Sequence, residues 1–378
     1  MRNAGSGTAR FQRGLARPGV LAVCAVAVIS GYGVLVWKIG PTVFPGRFER
    51  SIQAPTVAVT VGIAELRAVE AILETVQAAV SAGELSKART VLVAAVKQFP
   101  GDQTLRLALG DLYLNLSRPE DELKKSEKLT DEQREFVRLS YAEYQSALAI
   151  GPRTPEIEFT AGNLARELDD LESAALHFSA AMAGDRTVAA YPLHLAQVHL
   201  KKQEFENAKA MLVMSIALDA DQAVAWGMMA EIALTQGSPR IALEQIARAI
   251  ALDGRESAYP IIQARAHNRL MEPAEAIRAL AGLSRDVRHS GTVLRLAGQS
   301  YGLMRQPEQA LALYEEALAA GAGGDFQIVY EAAEWAERAG NTARAMQLAR
   351  QGSMAGHQAS ERLYARLRSA EDRPERIP

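Results

Sequence analysis

A spacing of 34 residues decides much of what this chain can become. An alanine recurs at Ala174, Ala208, Ala242, Ala276 and Ala310, and a second small residue recurs at Gly162, Ala196, Ala230, Ala264 and Gly298, without a gap. One inserted residue within 320–324 brings Ala333 and Ala345 into the same register. In Thr292–Gly321, TVLRLAGQSYGLMRQPEQALALYEEALAAG, small and apolar residues fall at Leu294, Ala297, Gly298, Tyr301, Ala310, Tyr314 and Ala317. Ala297 and Gly298 suit a first helix that must approach a second closely. Ala310 and Ala317 do the same from the other side, and Tyr301 and Tyr314 fill the gap between the pair. A helical hairpin of this kind cannot bury its apolar face alone, so copies must stack. Five consecutive units in one register therefore predict an all-α array rather than a globular core.

The stretch Thr292–Gly321 resembles the tetratricopeptide repeat, whose pattern is W-x2-L-G-x2-Y, then A-x3-F and a further small residue. The resemblance implies an α-solenoid, a right-handed superhelix of helical hairpins. About eight units fit within 69–359. The first, 69–102, carries Ala79, Ala88, Leu92, Ala95 and Pro100, with Val76 in place of the usual small residue. The second opens with Leu109, Gly110 and Tyr113, but its second helix returns only at Tyr144, Ala147 and Pro152, about 18 residues late. The excess lies in the charged stretch 117–134. Ser117-Arg118-Pro119-Glu120 and Thr130-Asp131-Glu132-Gln133 both read as capping boxes, so a short extra helix and a lengthened helix from about 131 are expected there. Regular units follow at 155–188, 189–222, 223–256, 257–290, 291–325 and 326–359. Gly237-Ser238-Pro239 reads as a helix end, a cap and a first-turn proline; Pro273 and Pro307 repeat the last element, and Gly340-Asn341 the first two. Residues 360–370 form an amphipathic helix suited to capping the last unit, and the tail to Pro378 carries no pattern.

Ahead of the array, residues 1–18 hold Arg2, Arg10, Arg13 and Arg17 and no acid, and Gly19 to Trp37 then runs without a charge. As a helix that run is about 28 Å long, close to the bilayer core. The arginines predict a single-pass anchor with a cytoplasmic N-terminus, which would place the array in the periplasm at a bacterial inner membrane. Two rivals are a signal peptide cut after Ala25-Val26-Ala27 and a lipobox at Leu21-Ala22-Val23-Cys24. Continued apolarity beyond both sites, and valine before Cys24, favour the anchor. Residues 38–68, with Pro41, Pro45 and Pro55, read as a linker, and Val57–Val61 has strand-like content.

Nothing in the chain reads as catalytic. Its single cysteine excludes an intrachain disulfide and a cysteine-based zinc site. The six histidines lack the spacing of a helical metal site, and no glycine-rich phosphate loop is present. His199 and His267 occupy the repeat's tyrosine position and read as packing residues. With 42 basic and 44 acidic residues, net charge gives no case for nucleic acid. No enzyme, cofactor or metal is expected. In the family, partners dock on the face lined by first helices. That pattern places Phe159, Asn163, Arg166, Leu193, Gln197 and Lys201 there in the middle units, and Arg265, Asn268, Arg269, Arg295, Gln299 and Arg338 in the C-terminal ones. The second group is basic and amide-rich, which suits an acidic segment or a C-terminal carboxylate. The resemblance implies a scaffold for protein or peptide partners, with assembly of an envelope complex (secretion, pilus or polysaccharide machinery) as the leading role. A periplasmic chaperone-like or quality-control protein is the alternative.

Overall fold

A computed structural model describes residues 53–118 and 129–371. All regular structure among them is helical, eighteen α-helices and one 3-10 turn, with no strand. The chain divides into two units, 1–101 and 102–378. The first holds the hairpin of α1 (Gln53–Ser81) and α2 (Leu85–Gln98). The second holds α3 (Gln103–Ser117) with α4 (Asp131–Ile150), α5 (Pro155–Glu167) with α6 (Leu171–Gly184), α7 (Ala190–Lys201) with α8 (Phe205–Leu218), and α9 (Ala223–Thr235) with α10 (Pro239–Leu252). It continues with α11 (Ala258–Arg269) and α12 (Pro273–Ala281), the single turn α13 (Arg285–Arg288), α14 (Gly291–Leu303) with α15 (Pro307–Ala319), α16 (Phe326–Arg338) with α17 (Thr342–Met354), and α18 (Gln358–Glu371).

The contact between the two helices of a hairpin follows a size rule. Where the first helix offers glycine, the second answers with a ring. A Cβ on Gly110, Gly162 or Gly298 would stand 2.8, 2.7 and 2.7 Å from Tyr144, Phe178 and Tyr314. Where the first helix offers alanine, the partner is aliphatic: Ala196 with Leu212, Ala230 with Ile246, Ala264 with Leu280, each pair buried in one cluster. The summed volume at the crossing is thus held nearly constant, as close packing requires. Ala174, Ala208, Ala242, Ala276 and Ala310 are all fully buried.

The turns within hairpins repeat a single backbone device. One residue adopts a left-handed conformation, and two amide N–H groups close back on the first helix. In the fifth hairpin Gly237 has φ 74°, its N–H donates to the Leu234 carbonyl at 3.0 Å, and the Ser238 N–H donates to that of Ala233 at 2.8 Å. The same φ sign occurs at Asp169, Gln203, Met271 and Arg305, spaced at the repeat period on either side of Gly237. Ser238 was expected to cap α10 with its side chain, and it does not. The backbone already closes that turn. Asn341 does cap, accepting from the Arg344 N–H at 3.2 Å.

Several expectations change. Helix α1 begins at Gln53, inside the predicted linker and through the stretch read as strand-like. Pro55 falls in its first turn, where a missing N–H costs nothing. Ser117 starts no helix: it ends α3, and its hydroxyl donates to the Leu114 carbonyl at 2.6 Å. Thr130 does form the expected capping box with Gln133 at the start of α4. The extra helix expected within 119–128 lies outside the described residues, as do the apolar run Gly19–Trp37 and Cys24. Among the described residues no helix is long and apolar enough to cross a membrane. At the other end, α18 lays Leu363 and Leu367 into the cluster of Ala332, Ala333, Leu348 and Ala349, covering the apolar edge of the last hairpin.

Candidate functional site

One position of the repeat stays polar on every first helix of the second unit. In register it reads Asp111, Asn163, Gln197, Glu231, Arg265, Gln299 and Glu334, allowing for the insertion before α4 and the extra residue near 321. All seven are half-buried, one turn from the fully packed crossing residues. A polar side chain at such a place gives up part of its hydration and needs a partner. The structure shows how each part of the row finds one.

In the C-terminal half the partners are carboxylates. Arg265 donates to both oxygens of Glu231, a full repeat earlier, at 2.6 and 2.8 Å. Arg295 makes a fork onto Glu331, which also takes the Tyr314 hydroxyl at 2.7 Å. The bond to Glu331 holds the Arg295 guanidinium above its usual range despite partial desolvation. Burial acts to raise the Glu331 carboxyl, but hydrogen bonds from Arg295, Gln327 and Tyr314 outweigh it and hold it low. Arg269 donates to the Leu234 carbonyl at the end of α9, a favourable place for a cation. Asn268 donates to the Leu296 carbonyl at 3.3 Å and accepts from Ser300 at 2.9 Å. Arg338 lies over the Trp335 ring, 4.4 Å from its centre. Gln299 is half-buried beside them. Glu337 is engaged by Arg366, and Glu334 by the Tyr330 hydroxyl.

The middle units differ. Arg166 donates to two amide oxygens, Gln197 Oε1 at 3.0 Å and Asn163 Oδ1 at 3.1 Å, and no carboxylate lies within ion-pair distance of it among the described residues. Desolvation lowers the pKa of this guanidinium. Its neighbour His194 is pushed down to about 4, first by burial and then by the Arg166 charge. His194 stands edge-on to Phe159 at 4.8 Å and also touches Phe178. Leu193 packs beside Leu200 and Phe205, while Lys201 reaches Asp169 at 3.3 Å in solvent. At the start of the row, Asp111 accepts from the Tyr144 hydroxyl, and burial raises its carboxyl against that bond.

Behind the row, Glu158 is buried between Arg153 and His177, and the His177 ring reaches the Tyr141 hydroxyl at 3.2 Å. His199 and His267 each close their own turn onto a glutamate, Glu204 at 2.6 Å and Glu272 at 2.8 Å. Sequence reading missed these glutamates, although their fixed five-residue offset from histidine at the same repeat position was a usable signal. No group of three or more potential metal ligands occurs among the described residues.

Residues 73–133 match a family model described as Tetratricopeptide repeat. No curated protein matches the chain. Among solved structures, the C-terminal part of a TPR repeat-containing protein from Cytophaga hutchinsonii is 11% identical with a TM-score of 0.50, covering 65% of this chain and 94% of that one. A tetratricopeptide repeat protein from Parabacteroides merdae is 11% identical with a TM-score of 0.49, covering 68% and 98%. PilF of Pseudomonas aeruginosa is 17% identical with a TM-score of 0.46, covering 61% and 96%. At these identities the likeness concerns the fold alone.

Proposed function

The chain carries tetratricopeptide repeats, and from that premise we propose that it is a membrane-anchored scaffold which holds a protein or peptide segment along its first-helix face. Arrays of this kind serve as interaction scaffolds rather than catalysts. The observation that carries the reading is the half-buried polar row from Asp111 to Glu334. A solenoid needs apolar residues at its crossings; it does not need an unbroken line of donors and acceptors on one side. Such a line matches the main chain and side chains of an extended segment.

Anchoring through residues 19–37, a periplasmic array and a role in assembling an envelope complex complete the proposal. They rest on the uncharged run and on Arg2, Arg10, Arg13 and Arg17 before it. The test places a photo-crosslinking residue at Gln197 or Gln299, and in control chains at Ala210 or Ala247 on second helices. Protein is then purified from solubilised membranes after irradiation. The proposal expects one dominant crosslinked partner from the first-helix positions and none from the controls. Crosslinks only from the second helices would refute the face assignment. A reporter fused after Pro378 should be active only in its exported form; activity of a cytoplasm-only reporter would refute the topology.

A further inference from the structure

Among the described residues, five buried side-chain atoms have no hydrogen-bond partner, and three of them are Arg166 Nε, Glu167 Oε2 and His194 Nδ1. All three belong to the third and fourth hairpins, where α5 and α7 face one another. Buried polar atoms are nearly always satisfied, so three orphans in one place mark a spot that something else completes.

The charges point the same way. Glu167 is the carboxylate that acts on Arg166, but its other oxygen is already held by Arg118. Two guanidinium groups thus share one carboxylate, which leaves an uncompensated positive charge in a half-buried setting. The amides around it, Asn163 and Gln197, both turn their oxygens toward Arg166. Asn163 spends its N–H on the Phe159 carbonyl at 3.1 Å, while the Gln197 NH2 has no partner among the described residues. Arg265 and Arg295 present the contrast, since Glu231 and Glu331 neutralise them within the chain.

We propose that the α5–α7 pocket takes a carboxylate of the docked segment, laid against Arg166 and the Gln197 NH2, with Phe159 and His194 as its apolar wall. The inference rests on the scaffold reading and names the chemistry of its main contact. A carboxylate can arrive on an acidic side chain or at a chain terminus. His194 stays neutral down to about pH 4, so Arg166 supplies the charge. Removing that charge relieves its desolvation, so Arg166→Gln should fold at least as stably as the native chain.

The test is fluorescence anisotropy with the full chain in detergent and three labelled decapeptides sharing one Gly/Ser/Ala spacer. The first carries a central Glu-Glu pair and an amidated end. The second has no acid but a free C-terminal carboxylate. The third carries Gln-Gln and an amidated end. One acidic probe should bind at least about tenfold tighter than the neutral one, as a charge-assisted fork implies. Which probe it is identifies the source of the carboxylate. Arg166→Gln should abolish the difference, and Arg265→Gln with Arg295→Gln should leave it within about twofold. Equal binding of all three probes, no binding of either acidic probe, or unchanged discrimination by Arg166→Gln overturns the pocket. So does a lowered melting temperature for Arg166→Gln, because it would make the residue a structural strut. If Arg166→Gln still crosslinks the native partner through Gln299, the scaffold stands and the pocket alone falls. If the native chain gives no first-helix crosslink, the scaffold reading itself fails.

Discussion

The size rule at the hairpin crossing can be tested at Gly162 and Phe178. A methyl group on Gly162 would stand 2.7 Å from Phe178 Cε1 and 2.8 Å from Cδ1. The ring has no room to withdraw, being fully buried with Phe159 and His194 beside it at 5.7 and 5.5 Å. Overpacking of this sort costs about 1–3 kcal/mol, and replacing a helical glycine by alanine returns about 1 kcal/mol, so Gly162→Ala alone should destabilise by about 1 kcal/mol. Phe178→Leu removes three buried carbons, worth roughly 2 kcal/mol at about 0.8 kcal/mol each. Independent effects would sum to about 3 kcal/mol. The double variant instead rebuilds the Ala196–Leu212 pair of the next hairpin: the clash disappears, the new methyl fills vacated space and the propensity gain remains. It should lie within about 0.5 kcal/mol of the native chain, a coupling of roughly 2–3 kcal/mol. Urea unfolding of the four chains measures the cycle, and hydrogen exchange over α5 and α6 shows whether the change is local, as nearest-neighbour stacking requires. Additivity within about 0.5 kcal/mol would refute the reasoning.

Other outcomes follow from single features. Met271 is 67% exposed and sits at φ 61°; Met271→Gly should raise stability by about 0.5–1 kcal/mol in urea unfolding, because only glycine adopts that conformation freely. His194 is depressed to about 4 in the folded chain, so the unfolded chain binds its proton first. The stability it protects is complete above about pH 6.5 and is lost as pH falls toward 4, by about 2 kcal/mol after allowing for its part-exposure. His194→Leu should remove that component from a melting-versus-pH profile, and an unchanged profile would contradict it. Leu363→Ala with Leu367→Ala uncovers the last hairpin and should cost about 4 kcal/mol or more; exchange should rise over α16 and α17 and stay flat over α5.

The repeat itself was legible because its small residues have a geometric duty that no other residue can perform. Gly298 and Ala264 must be small wherever helices cross, so their spacing survives in the sequence. The left-handed turn was legible at Gly237 and Gly340, where glycine advertises it. It was hidden at Asp169, Gln203, Met271 and Arg305, where the backbone pays for the conformation with two hydrogen bonds and any side chain can ride along. Charge pairing was harder still. Glu231 and Arg265 are a full period apart, and their attraction depends on first helices standing side by side. Arg166 carries the same formal charge as Arg265 in the sequence, and only burial and the prior engagement of Glu167 set the two apart. The turn Ser238 misled because its residue type suits a cap that the backbone had already made unnecessary.

The bonds that join successive first helices also have a mechanical side. Arg166 to Gln197, Arg265 to Glu231, Asn268 to the Leu296 carbonyl and Arg295 to Glu331 each cross from one hairpin to the next on the same face. They act as tensile ties: flexing that spreads the face must stretch them, while flexing that closes it leaves them slack. Among the described residues no such tie joins α7 to α9. The Gln236–Glu206 bond there runs to a second helix instead, at 2.7 Å. That seam is where the face yields first under load, so a long or stiff partner can be accommodated by one localised bend while the pocket beside Arg166 keeps its shape.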